Sequence, residues 1–248
     1  MPTYRAPFND MDRLTFLRRA AATGRADMAA GNLYLRQQTI DEVEALVGEL
    51  EAALRNMRVQ RTRRSAQVRQ RNEAARELAV YVRDFWQTVR RRARRLRQPP
   101  EVLIFYGLPL DGRLPNPRRP DELLTIAANV VRGDAHAVAA GFPAMSNPSA
   151  EELTAVLTIA EAAAAEAAAA DRAYDQSQES VAACRAQADR LITDVMAELR
   201  FMLRRLDAPS QRRIMRTYGA SFAYLRDESP DADDVPDLLI DKPPAPPL

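Results

Sequence analysis

From Ile40 onward, apolar residues recur in strict three-four alternation: Val43, Val47, Leu50, Leu54, Met57, Val68, Ala75, Leu78, Val82, Phe85, Val89 and Leu96. Arg61, Arg64, Arg71 and Arg92 occupy the remaining positions of the same ladder, so thirteen of its seventeen positions are apolar. Sustained for eight heptads, this pattern predicts a long coiled-coil helix rather than an ordinary surface helix. Thr39 with Glu42 has the form of a capping box that starts it, and Pro99-Pro100 stops it, giving a rod of roughly 85 Å at 1.5 Å per residue.

A second ladder follows Asn147-Pro148, where Ser149 and Glu152 form another capping box. It passes through Leu153, Val156, Ala160, Ala163, Ala167, Ala170, Tyr174, Ser177, Val181, Cys184 and Ala188. One extra four-residue step then leads to Ile192, Val195, Leu199, Met202 and Leu206, a stutter that unwinds the supercoil locally. Two ladders of similar length cover each other as an antiparallel pair. Charge selects that direction, because Asp41, Glu42 and Glu44 then face Arg200, Arg204 and Arg205, whereas a parallel pairing sets them beside Glu151 and Glu152. In this register Arg71 lies opposite Asp175, Arg76 near Asp171 and Arg58 near Asp189. Arg61 and Arg64 face Arg185 and Ala182, with no acid opposite. Leu46, Val80, Leu157, Ile159 and Leu203 fall outside both ladders, so further helices or a second copy of the chain are expected to cover them in a bundle.

The fold class read from these patterns is all-α: a long antiparallel coiled-coil hairpin (39–97 and 149–206) within a helical bundle. Residues 1–38 hold short helices, one over 10–23 capped by Asn9 and stopped by Gly24, then a helix or bend through Met28–Leu35. An insert at 98–148 caps one end. It has an apolar run Val102–Tyr106, a turn-rich stretch, and amphipathic helices at Asp121–Val131 and Ala135–Ala140. Residues 207–225 form a short basic helix and an extended segment. The acidic, proline-rich tail at 226–248 is expected to be disordered.

Composition removes several kinds of chemistry. With one His (His136) and one Cys (Cys184), neither a multi-cysteine metal site nor paired Glu-x-x-His ligands can be built, and eight glycines supply no phosphate-cradling loop motif. Cys184 reads as an inert packed thiol. The chain is therefore expected to be no enzyme and to need no cofactor or metal. No uncharged apolar stretch reaches the length of a membrane span. Leu153–Ala170 carries Glu161 and Glu166, so the expected location is the cytoplasm.

The basic residues are 35 Arg and a single Lys, and Arg55–Arg97 holds fifteen of those arginines against Glu73, Glu77 and Asp84, a local net charge of +12 in a chain of net +2. The leading expectation is a structural or interaction protein that assembles with itself or a protein partner through its bundle faces. The alternative is a nucleic-acid-binding coiled coil. The candidate contact residues for either partner are Arg61, Arg63, Arg64, Arg90, Arg91, Arg94, Arg95 and Arg97.

Overall fold

The computed structural model describes residues 2–117 and 119–224; the acidic tail lies outside the described residues. Among these, the protein is all-α, with six helices and one two-stranded antiparallel sheet. The elements are β1 (Thr3–Arg5), α1 (Asp10–Ala29), α2 (Gln37–Arg95), α3 (Val102–Phe105), α4 (Pro120–Ala139), α5 (Ala150–Leu203), α6 (Ala208–Thr217) and β2 (Ser221–Ala223). Contacts divide the chain into two units. Unit 1 is Met1–Met57 with Ser177–Leu248, and unit 2 is the continuous segment Arg58–Gln176.

In unit 1, Asn9 caps α1 as expected, its side chain accepting from the Asp12 N–H at 2.9 Å. The helix does not stop at Gly24. Gly24 is buried within it, and a Cβ there would lie 3.0 Å from Ile40 Cδ1, so the glycine permits close approach of α1 to the start of α2. The helix ends instead near Gly31, whose φ of 84° is readily adopted only by glycine. Nor does Thr39 cap α2, which begins two residues earlier; the Thr39 hydroxyl donates to Glu198 Oε1 at 2.7 Å.

The unit 1 core joins Phe16, Leu17 and Ala20 of α1, Ile40, Val43 and Leu46 of α2, and Ile192, Val195, Met196, Leu199 and Leu203 of α5 to Met215 and Tyr218. Each large aliphatic side chain removed from water here contributes about 1.5–3 kcal/mol. Leu46 and Leu203, which lie off the ladders, are thus covered by the chain's own helices. The ladder positions Met202 and Leu206 are 45% and 42% exposed, because burial in this cluster follows the side of α5 that α1 and α6 share rather than a two-helix seam. Strands β1 and β2 pair Tyr4 with Phe222, their rings edge-on at 6.1 Å. Asp207 caps α6 by accepting from the Ser210 N–H at 3.1 Å.

In unit 2, Leu78, Val82, Phe85, Trp86 and Val89 of α2 share one cluster with Leu153, Val156, Leu157, Ala160 and Ala163 of α5 and with Tyr106, Leu123, Ala127 and Val130. Leu157 is covered here, whereas Val80 and Ile159 stay 58% and 59% exposed. The Ser149–Glu152 capping box forms as expected, with Ser149 N–H donating to Glu152 Oε2 at 2.8 Å and Glu152 N–H to Ser149 Oγ at 3.1 Å. Helix α2 ends at Arg95, before the proline pair, with Gln98 N–H reaching back to the Ala93 carbonyl at 2.9 Å and Arg97 at a φ of 51°. That reversal leaves the last ladder position, Leu96, 50% exposed.

The two expected short helices of the insert are one helix, α4, running through Gly133. A Cβ on Gly133 would lie 1.8 Å from the Phe105 carbonyl oxygen, so the absent side chain lets α4 seat directly on the end of α3. The neighbouring Asp134 is buried and accepts from the Tyr106 hydroxyl at 2.9 Å and the Met145 N–H at 3.2 Å. Arg92 donates to the Pro143 and Ala144 carbonyls at 2.6 and 3.0 Å and to the Tyr106 hydroxyl at 3.1 Å. The insert thus holds both terminal nitrogens of this ladder arginine, while its buried Nε has no hydrogen-bond partner.

Candidate functional site

The eight arginines singled out from the sequence all belong to unit 2, but they do not form one site. Arg64 pairs with Asp171 at 2.5 Å and its guanidinium lies 5.3 Å from the centre of the Tyr174 ring. That hydrogen bond to Asp171 holds the Arg64 pKa above its ordinary value. The expectation that Arg64 faces Ala182 without an acid is overturned: the contact falls about three helical turns earlier along α5. Two other expected pairings change in unit 1. Asp41 and Glu44 pair with Arg25 of α1, at 2.5 and 2.6 Å, and Asp189 pairs with Arg13 at 2.7 Å rather than with Arg58.

Arg61 and Arg63 are exposed and have no carboxylate partner among the described residues. Arg90 and Arg94 line a depression of about 220 Å³ with Leu103, Leu110 and Asp111, where Arg90 is half-buried against the Gly112 turn. Arg91 lines a different one, of about 470 Å³, with Asp84 and Glu152, so its charge is locally opposed. Arg95 and Arg97 are exposed.

Sequence reasoning missed a groove in unit 1. Met28 at the end of α1 and Leu33, Tyr34 and Leu35 after it meet Phe201 and Met202 of α5 around a volume of about 670 Å³, with Arg36, Gln37 and Glu198 among its lining. Leu33 and Phe201 are 62% and 61% exposed, and the Arg204 guanidinium stacks 4.0 Å from the centre of the Phe201 ring. Its only sequence signal was Phe201, a large apolar residue off the second ladder beside the ladder position Met202.

The individual reactive side chains have structural surroundings. His136 is exposed on α4, and no group of three His, Cys, Asp or Glu among the described residues could hold a metal ion. Cys184 is half-buried beside Leu50, Leu54 and Val181, and burial raises its thiol pKa, which disfavours the nucleophilic thiolate. Burial, together with the hydrogen bond to Asp134, pushes the Tyr106 hydroxyl up to about 12. The Trp86 indole donates to the Tyr106 carbonyl at 2.9 Å and is itself buried, so it offers no stacking surface. By length and composition α5 is the one helix among the described residues that could cross a membrane, although Ala160, Ala163, Ala167 and Ala170 on it are buried against protein. Compared with known proteins, the chain matches no family model, and neither a curated protein nor a solved structure shows significant similarity to it.

The depressed carboxylates all lie in unit 1. Hydrogen bonds from Arg185, Arg25 and Arg18 hold Asp10, Glu44 and Glu51 below their ordinary values, and the Ser210 hydrogen bonds do the same for Asp207. Burial alone would raise Glu198, but hydrogen bonds from Arg36 and Thr39 outweigh it and lower it. A carboxylate with a depressed folded pKa stabilises the fold above its unfolded pKa, and that contribution is lost as pH falls through the folded value. Unit 1 is therefore expected to weaken first as pH drops below about 4. Acid titration should show helical circular dichroism falling while the emission of Trp86, in the unit 2 core, remains native; simultaneous loss of both signals would contradict this.

Proposed function

We propose that this chain is a non-enzymatic structural or interaction protein of the cytoplasm that assembles with copies of itself through the apolar groove of unit 1. The groove between Met28–Leu35 and Phe201-Met202 carries the reading. Unit 1 also presents apolar side chains outside the groove, Phe8 at 90% and Met11 at 56% exposure, which supply the complementary protrusions. An exposed apolar concavity with polar residues at its edge is the usual mark of a protein-docking surface.

Helices α2 and α5 are proposed to pair as an antiparallel coiled coil. Within unit 1 the support is the Thr39–Glu198 contact together with the Leu50–Leu54–Val181 cluster. Within unit 2 it is the Arg64–Asp171 pair and the shared cluster of Leu78–Val89 with Leu153–Ala163.

Light scattering after size exclusion tests the assembly. A mass above that of one chain is expected at tens of micromolar, returning to a single chain in Phe201→Glu. A wild-type protein that remains a single chain at that concentration overturns self-association.

A further inference from the structure

Six arginines of α2 within unit 2, Arg58, Arg69, Arg76, Arg83, Arg90 and Arg94, follow one another at spacings of eleven, seven, seven, seven and four residues. Each spacing is close to a whole number of helical turns, so at 100° per residue all six fall within a sector about 60° wide. Arg90 is half-buried and the other five are exposed; none of the six has a carboxylate partner among the described residues. The acids of the same stretch, Glu73, Glu77 and Asp84, lie roughly 90° further round the helix. One acid, Asp111, shares the depression lined by Arg90 and Arg94. Successive members of the central four are about 10 Å apart along the axis, close to the Debye length at moderate salt, so their mutual repulsion is small in solution.

We propose that this stripe is a track for the phosphate backbone of double-stranded nucleic acid, bound without sequence preference. The track crosses the arginine set expected from sequence, sharing only Arg90 and Arg94 with it.

Three physical comparisons favour that occupant. First, a typical exposed ion pair with a protein carboxylate is worth a factor of about two, so six of them do little against the entropy lost on association. A phosphate polymer instead releases condensed counterions at each contact, which drives binding by charge alone. Second, a membrane surface would require apolar side chains to insert beside the arginines, and Val80 is the one exposed large apolar residue on α2 between Arg69 and Arg94. Third, single strands are held by stacking aromatics; on this stretch Phe85 and Trp86 are buried, and the half-buried Tyr81 lies roughly 150° round the helix from the stripe. Guanidinium groups pair with phosphate oxygens bidentately, which suits arginine rather than lysine to the task.

Fluorescence anisotropy with the full chain and a labelled duplex of mixed sequence tests the track. If four phosphates are contacted, affinity falls by about 100-fold between 50 and 200 mM salt. The variant Arg69→Gln/Arg76→Gln/Arg83→Gln should lose at least tenfold in affinity at low salt and show a shallower salt dependence. A charge-matched variant, Arg5→Gln/Arg19→Gln/Arg205→Gln, should lose less than threefold. All three replaced residues of the track are exposed, so unchanged circular dichroism is expected and serves as the folding control. The proposal is overturned if the wild type leaves the duplex free at low salt, or if both variants lose affinity equally. Competition by polyglutamate as effective as by unlabelled duplex also overturns it, and assigns the stripe to an acidic protein.

Discussion

Gly133→Ala should destabilise unit 2 by about 3 kcal/mol or more, although helix propensity alone would have alanine stabilise α4 by about 1 kcal/mol. Steric contact decides the sign. The added Cβ would meet the Phe105 carbonyl oxygen at 1.8 Å and its carbon at 2.7 Å, and these are backbone atoms that no change of rotamer can move aside. Relief requires shifting α3 off α4, which disturbs Tyr106 and with it the hydrogen bonds to Asp134, Arg92 and Trp86. The control is Gly48→Ala on α2, where nothing lies within 4 Å of the new atom and the propensity gain should appear unopposed. Urea unfolding followed by Trp86 emission for Gly133→Ala and by circular dichroism for Gly48→Ala measures both. A Gly133→Ala protein as stable as the parent would mean that α3 does not rest on α4 as described.

Phe85→Ala is expected to cost about 3–5 kcal/mol, the range for deleting a fully buried aromatic ring and leaving a cavity. Phe85 is 0% exposed, and its ring lies 5.7 Å from that of Tyr106, the residue that ties the insert to α2. The loss should therefore appear as a lower urea midpoint together with a red-shifted native emission from Trp86, whose indole bonds to the same tyrosine's carbonyl. Val80→Ala, five residues earlier on the exposed side, should change stability by no more than about 0.5 kcal/mol. Equal effects at the two positions would place the core on the wrong face of α2.

Periodicity made the two long helices legible, because a face of Leu, Val and Phe every three or four residues has one stable disposition. Register was not legible. Arginines and acids recur along both helices, so the sign of charge picks a direction but tolerates a slide of several turns. An alanine-lined seam, Ala160 to Ala170, has too little shape to resist that slide. Asp41 and Glu44, expected to face Arg200–Arg205, pair instead with Arg25, a residue of a helix that a two-helix argument leaves out. Gly24 shows a second kind of ambiguity: a glycine that ends a helix and one that lets another chain segment approach are identical in sequence. The strand β1 is only three residues long, too short for alternation to announce it. As for sites, the arginine-rich block stood out by composition, but its division into paired, depression-lining and unpartnered members depends on which neighbours the fold supplies. The groove was hidden because its two walls are separated by more than 160 residues.

The nesting of one unit inside the other has a consequence for biosynthesis. All of Arg58–Gln176 leaves the ribosome before the second half of unit 1 exists, so Phe85, Trp86 and the insert can consolidate on the nascent chain. Meanwhile α1 and the first turns of α2 can pack only on each other, without the α5 and α6 part of their core, until residues 177–224 emerge. That interval is when this polypeptide offers holdase chaperones their best target, and slowing translation after Gln176 should lengthen it.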